Sequence, residues 1–140
     1  MKSRVALPLA FSAFALAASS ASAQLLITEI QSDGTFDFWE LTNTGKLSVS
    51  LANFKWNDSA RILTGAVVVP AGAMIAPGES VIFTGTAAET FRTLWGIPSS
   101  VKVFTGLSVP GLGQNDGISL YDAANTEVFF LSYALGACRT

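Results

Sequence analysis

Four carboxylates fall close together in the chain, Glu29, Asp33, Asp37 and Glu40. Paired carboxylates are what general acid and base work requires. That chemistry needs two of them facing one another in a cleft, with their pKa values pushed apart. The simpler reading places Glu29 and Glu40 on adjacent strands as scaffold residues, with Asp33 and Asp37 bracketing a solvated turn. Calcium is the other acidic possibility. Asp33-Gly34 and Asn115-Asp116-Gly117 set oxygen donors beside glycine, and a hard cation takes about six to eight oxygens. Neither loop carries the Asp-x-Asp-x-Asp-Gly ladder of an EF-hand, and Asx-Gly is first of all a turn signal.

Other chemistries lack their residues. The chain has no histidine, which removes Ser-His-Asp and Cys-His catalysis together with His-bearing zinc sites. Its single cysteine, Cys138, lies next to the C-terminus. It can form neither an intrachain disulfide nor a Cys-rich zinc site; such a lone thiol is adventitious or pairs between chains, and the adventitious reading is favoured. The glycine-rich stretch Pro110 to Gly117 lacks the Lys-Ser/Thr of a phosphate loop and does not open a helix. Trp39, Trp56 and Trp95 are flat aromatics suited to a carbohydrate platform, but their spacing fits core positions, where most tryptophans of small sandwiches lie. The expectation is no enzyme: no catalytic residue, no cofactor-binding residue, no metal ligand and no cofactor.

The elements that would position these residues are short. From Leu25 onward no long 3.6-residue period occurs, and apolar segments are divided by Gly, Pro, Asn and Asp. Strands are expected over Leu25 to Ile30, Phe36 to Asn43 and Leu47 to Leu51, and around Phe54 and Trp56. Within Phe36 to Asn43, Trp39 and Leu41 face one way and Phe36 and Phe38 the other, so both faces are partly covered. Val67 to Val69 stops at Pro70. Ala76-Pro77-Gly78-Glu79 is a turn, with Pro presetting one dihedral and Gly free to take a positive φ. It leads into a core strand over Ser80 to Thr84. One helix is expected over Ala87 to Trp95, with Phe91, Leu94 and Trp95 on one face and a stop at Gly96 and Pro98. Val101 to Phe104 is a short strand. Ile118 to Tyr121 and Val128 to Leu131 pair around Asp122 to Asn125. About eight strands without βαβ alternation give an all-β sandwich or barrel.

The 140-residue chain begins with Lys2 and Arg4 ahead of an apolar run from Val5 to Ala18, followed by small residues ending Ala21-Ser22-Ala23. These are the three parts of a secretory signal peptide, with cleavage expected before Gln24. The run is too short for the roughly 20 residues of a spanning helix, so no stable membrane span is expected after cleavage. The domain expectation is a leader helix over 1–23 and a single sandwich over 24–140, a length that forms a core without disulfide staples. With Lys2 and Arg4 removed from eight basic residues, six remain against ten acidic, a net charge of −4. An acidic chain without a basic stripe is a poor candidate for phosphate-backbone binding, so no nucleic acid partner is expected.

Several segments in order resemble the lamin tail domain family. "LLITEIQSDG" is similar to its opening strand. "FDFWELTNTG" is similar to its Phe-x-Glu-Leu-x-Asn-x-Gly segment, carried by Phe38, Glu40, Leu41, Asn43 and Gly45. "VSLANFKWND" resembles a Leu-x-x-Trp-x-x-x-Asp stretch, with Phe54 where Trp is usual. "VVPAGAMIAPGESVIF" resembles the Pro-x-Gly-x-x-Leu-x-Pro-Gly-x-x-x-x-Val run, with Met74-Ile75 ahead of Ala76-Pro77-Gly78, and "GLGQNDGISLYDAANTEV" the closing segment, with Asn125 where a turn Gly is common. Each is only a strand-turn pattern; their order and spacing carry the resemblance, which covers Leu25 to about Val128.

The resemblance implies an immunoglobulin-like β-sandwich. In nuclear lamins such domains bind proteins and chromatin. Bacterial examples are accessory modules of exported proteins, often beside hydrolases, which implies attachment rather than chemistry. This chain carries no such partner domain, and "SYALGACRT" ends where the family's edge strands commonly run further, which implies a C-terminally truncated copy. The expected function is a non-enzymatic interaction or attachment module of the bacterial exterior, secreted or in the periplasm and cell envelope. It binds protein or an extracellular surface polymer through sheet edges or end loops. A carbohydrate-binding module using exposed aromatics is the alternative, and a carboxylate-dependent hydrolase stands third.

Overall fold

The structure is a computed structural model that describes residues 24–32, 36–58, 61–105 and 111–134. The expected leader, Asp33 and Cys138 lie outside the described residues. In chain order the elements are β1 (Leu25–Gln31), β2 (Phe38–Asn43), β3 (Val49–Ser50), β4 (Lys55–Asn57), β5 (Val67–Val68), β6 (Met74–Ile75), β7 (Ser80–Thr84), α1 (Ala88–Trp95), β8 (Lys102–Phe104), β9 (Asn115–Tyr121) and β10 (Glu127–Ala134). One sheet has the order β1-β2-β7-β8, the other β10-β9-β4-β5, and β3 pairs with β6 as a small ribbon.

The two sheets close on one apolar core. Trp39 and Leu41 of β2 and Val81 and Phe83 of β7 meet Trp56 of β4 and Ile118 and Leu120 of β9. The alternation that puts every second side chain of a strand on one face makes this possible. Trp39 stacks on Phe83 with ring centroids 4.2 Å apart and planes 10° apart. It reaches across the sandwich to meet Trp56 edge-on at 5.4 Å. Fully burying an aliphatic or Phe side chain of this kind contributes roughly 1.5–3 kcal/mol, so this layer holds the sheets face to face. Phe38 turns the other way, as its spacing requires, and is buried with Ile82 beneath Phe91 of α1.

The structure departs from the sequence expectation in several elements. The stretch Leu47 to Leu51 contributes only Val49–Ser50, paired with Met74–Ile75 rather than with either main sheet. Asn115 to Gly117 begin β9 instead of closing a loop, because Asp116 lies opposite Tyr133 and Gly117 opposite Ser132 of a longer β10. β8 pairs with β7 in parallel, through α1. Among the described residues this is the one βαβ crossover, and eight residues of helix suffice for it. The helix starts one residue later than expected, with Ala87 as its N-cap and Gly96 closing it in the left-handed conformation. Of its three apolar side chains only Phe91 is buried; Leu94 and Trp95 are exposed.

The turn Ala76-Pro77-Gly78-Glu79 forms as expected, with Gly78 at φ 73° and the Glu79 N–H donating to the Ala76 carbonyl at 3.0 Å. The left-handed region is open to Gly without a Cβ clash.

Candidate functional site

Two surface features gather the residues able to meet a partner. The first lies on the outer face of the β1-β2-β7-β8 sheet. A bulge in β1 between Ile27 and Glu29 leaves Thr28 as an extra residue, and Glu29 then stands directly opposite Glu40. Bulges re-aim side chains in this way. Thr28 donates its hydroxyl to Glu40 Oε1 and shares a 2.8 Å hydrogen bond with Thr42 Oγ1. Thr42 is in turn 2.7 Å from Ser80 Oγ. A row of hydroxyls and carboxylates therefore crosses three strands. Beside it the same face becomes apolar, and a cleft of about 170 Å³ is lined by Glu29, Glu40, Phe38, Phe91, Trp95 and Val101 among others. Trp95 is 44% exposed and meets Phe38 edge-on at 5.2 Å.

The second feature lies where the two sheets end side by side. β1 and β10 are both edge strands. Between them runs an apolar slot of about 210 Å³, lined by Leu25, Leu26, Ile27, Phe129, Phe130 and Leu131. Leu26 and Leu131 are exposed. Along the outer edge of β10 no strand pairs among the described residues.

The other sequence candidates find structural work. Asp116 accepts the Gly113 N–H at 2.9 Å on Oδ2 and the Gly117 N–H at 2.8 Å on Oδ1, so it organises the entry to β9. Burial first, and then the nearby Asp116 carboxylate, push the phenol of Tyr133 up to about 12. Among the described residues no three His, Cys, Asp or Glu side chains are arranged to hold a metal ion. Glu29 and Glu40 stand on adjacent strands and both line the cleft, while Asp37 does not. Trp39 and Trp56 are fully buried, which removes two of the three rings of the sugar platform. Trp95 is the correction: expected with the helix's buried face, it reaches the surface because α1 ends at it.

A family model described as Lamin Tail Domain matches residues 18–134. The chain belongs to the lamin tail domain family. No curated protein matches it. The match covers the ten strands found among the described residues, including the segments around Asn43, Pro77-Gly78 and Gly117. An immunoglobulin-like sandwich is the fold of this family and of this chain. Sequence reasoning missed the slot, although a signal for it was present: after Glu127, β10 runs Val-Phe-Phe-Leu-Ser-Tyr-Ala without a charge.

Proposed function

We propose that this lamin tail domain is a non-enzymatic interaction module that docks an extended segment of a partner protein on the open side of the sandwich, along β10 and into the slot it shares with β1. One observation carries the reading: two edge strands lie side by side over an apolar slot. Natural edge strands are commonly guarded by Lys, Pro, strong bulges or short length. β10 is eight residues long and its one charge, Glu127, sits at its start. Its only irregularity falls between Glu127 and Phe129. An added strand would gain main-chain hydrogen bonds from the edge and specificity from alternate side chains entering the slot. The leader-like first 23 residues support export, so we place the domain on the secreted or cell-envelope side, as a module for attachment.

Panning a displayed library of octapeptides against the chain tests this. The reading expects selected peptides to alternate apolar and polar residues, and their binding to be lost in Leu131→Lys. Leu131 is 40% exposed, so that variant keeps its melting temperature. Peptides without alternation, or binding unchanged by Leu131→Lys, would refute the docking. Binding of isolated cell-surface polysaccharide that Trp95→Ala abolishes and Leu131→Lys leaves intact would favour the carbohydrate reading instead.

A further inference from the structure

The cleft between α1 and β1 has a mixed lining that the edge-docking reading does not use. Its floor is apolar and aromatic: Phe38, Phe91 and Trp95 form a cluster with ring centroids 5.2–6.1 Å apart. Its rim carries two carboxylates, Glu29 and Glu40. We propose that this cleft binds a primary alkylammonium, the stem and head of a lysine side chain from a partner polypeptide.

The cleft's size selects the class. At about 170 Å³ it is smaller than the roughly 300–1,000 Å³ of a small-molecule pocket, and suits a single side chain. An apolar floor beside a charged rim matches a group with methylenes at one end and a cation at the other. The face of an exposed indole attracts such a cation further.

Charge complementarity comes from the rim. Glu29 stands directly opposite Glu40, an arrangement in which like charges destabilise the strand pair. Among the described residues no cation of the chain, Lys46 included, forms a salt bridge with either of them. Lys102 is committed to Glu79 and the Met74 carbonyl, Arg61 to Glu127, Lys55 to Asn125 and Arg92 to the Pro98 carbonyl. The C-terminal end of α1, where Trp95 lies, adds the negative end of a helix dipole.

Lysine is favoured over arginine by the state of Glu40. One of its oxygens already accepts the Thr28 hydroxyl, which obstructs a two-pronged guanidinium contact. An ammonium carries three donors in a compact head and can serve Glu29 and the remaining oxygen of Glu40 together.

The test is a titration of the ¹⁵N-labelled full chain with Nα-acetyl-lysine methylamide, following the Trp95 indole N–H, which the Trp95→Phe variant assigns. The buried indoles of Trp39 and Trp56 serve as internal controls. The expected result is a saturable shift at Trp95 and at the Glu29 and Glu40 amides. The norleucine analogue, with the same stem and no charge, should bind about tenfold more weakly. The double variant Glu29→Gln/Glu40→Gln should bind the lysine probe about fivefold more weakly than the parent. Raised salt should weaken the parent's binding, a measurement that needs no variant. Equal shifts with both probes, no saturable shift at Trp95, or salt-independent binding would overturn the proposal. Because the slot between β1 and β10 lies elsewhere, loss of peptide docking in Leu131→Lys leaves this titration unchanged.

Discussion

Replacing Asn43 by alanine should cost about 3 kcal/mol, although the residue touches neither proposed surface. Its side chain is fully buried at the end of β2. Its amide Nδ2 donates to the Leu47 carbonyl at 2.7 Å and to the Ile75 carbonyl at 3.2 Å, while Oδ1 accepts the Gly45 N–H at 3.0 Å. Its main chain also receives the Gly78 N–H at 2.7 Å and donates to the Glu79 carbonyl at 3.0 Å. One residue thus ties β2 to its following turn, to the β3-β6 ribbon and to the turn that leads into β7. Each of the three side-chain hydrogen bonds contributes about 1 kcal/mol net, and stranding a buried partner costs up to about 3. The midpoint of urea unfolding should fall at constant slope, and the melting temperature should drop by about 10–15 °C. Asn43→Asp separates hydrogen bonding from packing. It keeps the shape and the acceptor for Gly45, but sets a carboxylate against two carbonyl oxygens. It should be at least as destabilising as alanine at neutral pH, and should recover on acidification as the carboxyl gains a donor proton. Losses below about 1 kcal/mol in both variants would refute the account of Asn43 as the tie.

Gly117→Ala should destabilise by about 1–3 kcal/mol, because an added Cβ would sit 2.9 Å from the Leu131 carbonyl and from the Phe130 ring; hydrogen exchange should show β9 and β10 opening first. Glu79 supplies a pH dependence. Burial pushes its carboxyl up, but the Ala76 N–H and the Lys102 ammonium outweigh that and hold it below its ordinary value. A lowered folded pKa gives stability that is present above the unfolded value of about 4.3 and fades as pH falls through the folded one. The melting-temperature gap between the parent and Glu79→Gln should therefore be widest near neutral pH and close in acid; a gap that stays constant would contradict the assignment.

The parts of the fold legible in the sequence were those where a local rule and the tertiary structure agree. Trp39 and Leu41 alternate with Phe38, and both sets are buried, one between the sheets and the other under α1. Ala76 to Glu79 carries a turn's own residues and makes that turn. What stayed hidden depends on partners far away in the chain. Leu47 to Leu51 alternates as a full strand would, yet its two paired residues, Val49 and Ser50, meet only Met74 and Ile75. Asn115-Asp116-Gly117 reads as a turn, but the added length of β10 draws it into a ladder. The carboxylates were visible as residues and not as a site. Only the extra residue at Thr28 sets Glu29 opposite Glu40, and nothing local in "LLITEIQ" marks a bulge.

Both proposed surfaces follow from how little the helix covers. Eight residues of α-helix extend about 12 Å at 1.5 Å per residue, while four strands spaced about 4.8 Å apart span more than that across the sheet. Phe91 anchors α1 over Phe38 and Ile82, with Ile97, Val101 and Val103 packed beside them, so the helix lies over β2, β7 and β8. The outer face of β1, and the parts of β2 and β7 that carry Glu40, Thr42 and Ser80, lie beyond its cover. Apart from the exposed Leu26, that uncovered surface is polar, with Thr28, Glu29, Glu40, Thr42 and Ser80 in one row. The boundary between that row and the helix-covered half is the cleft at Trp95. On its inner face β1 must still be apolar to close the core, and Leu25 and Ile27 pack there. At the sheet's edge that requirement leaves the slot toward β10 partly open. A longer α1 would cover the carboxylates and bury Trp95, and an added strand beyond β10 would fill the slot. The two surfaces therefore trace to different elements and can be closed one at a time.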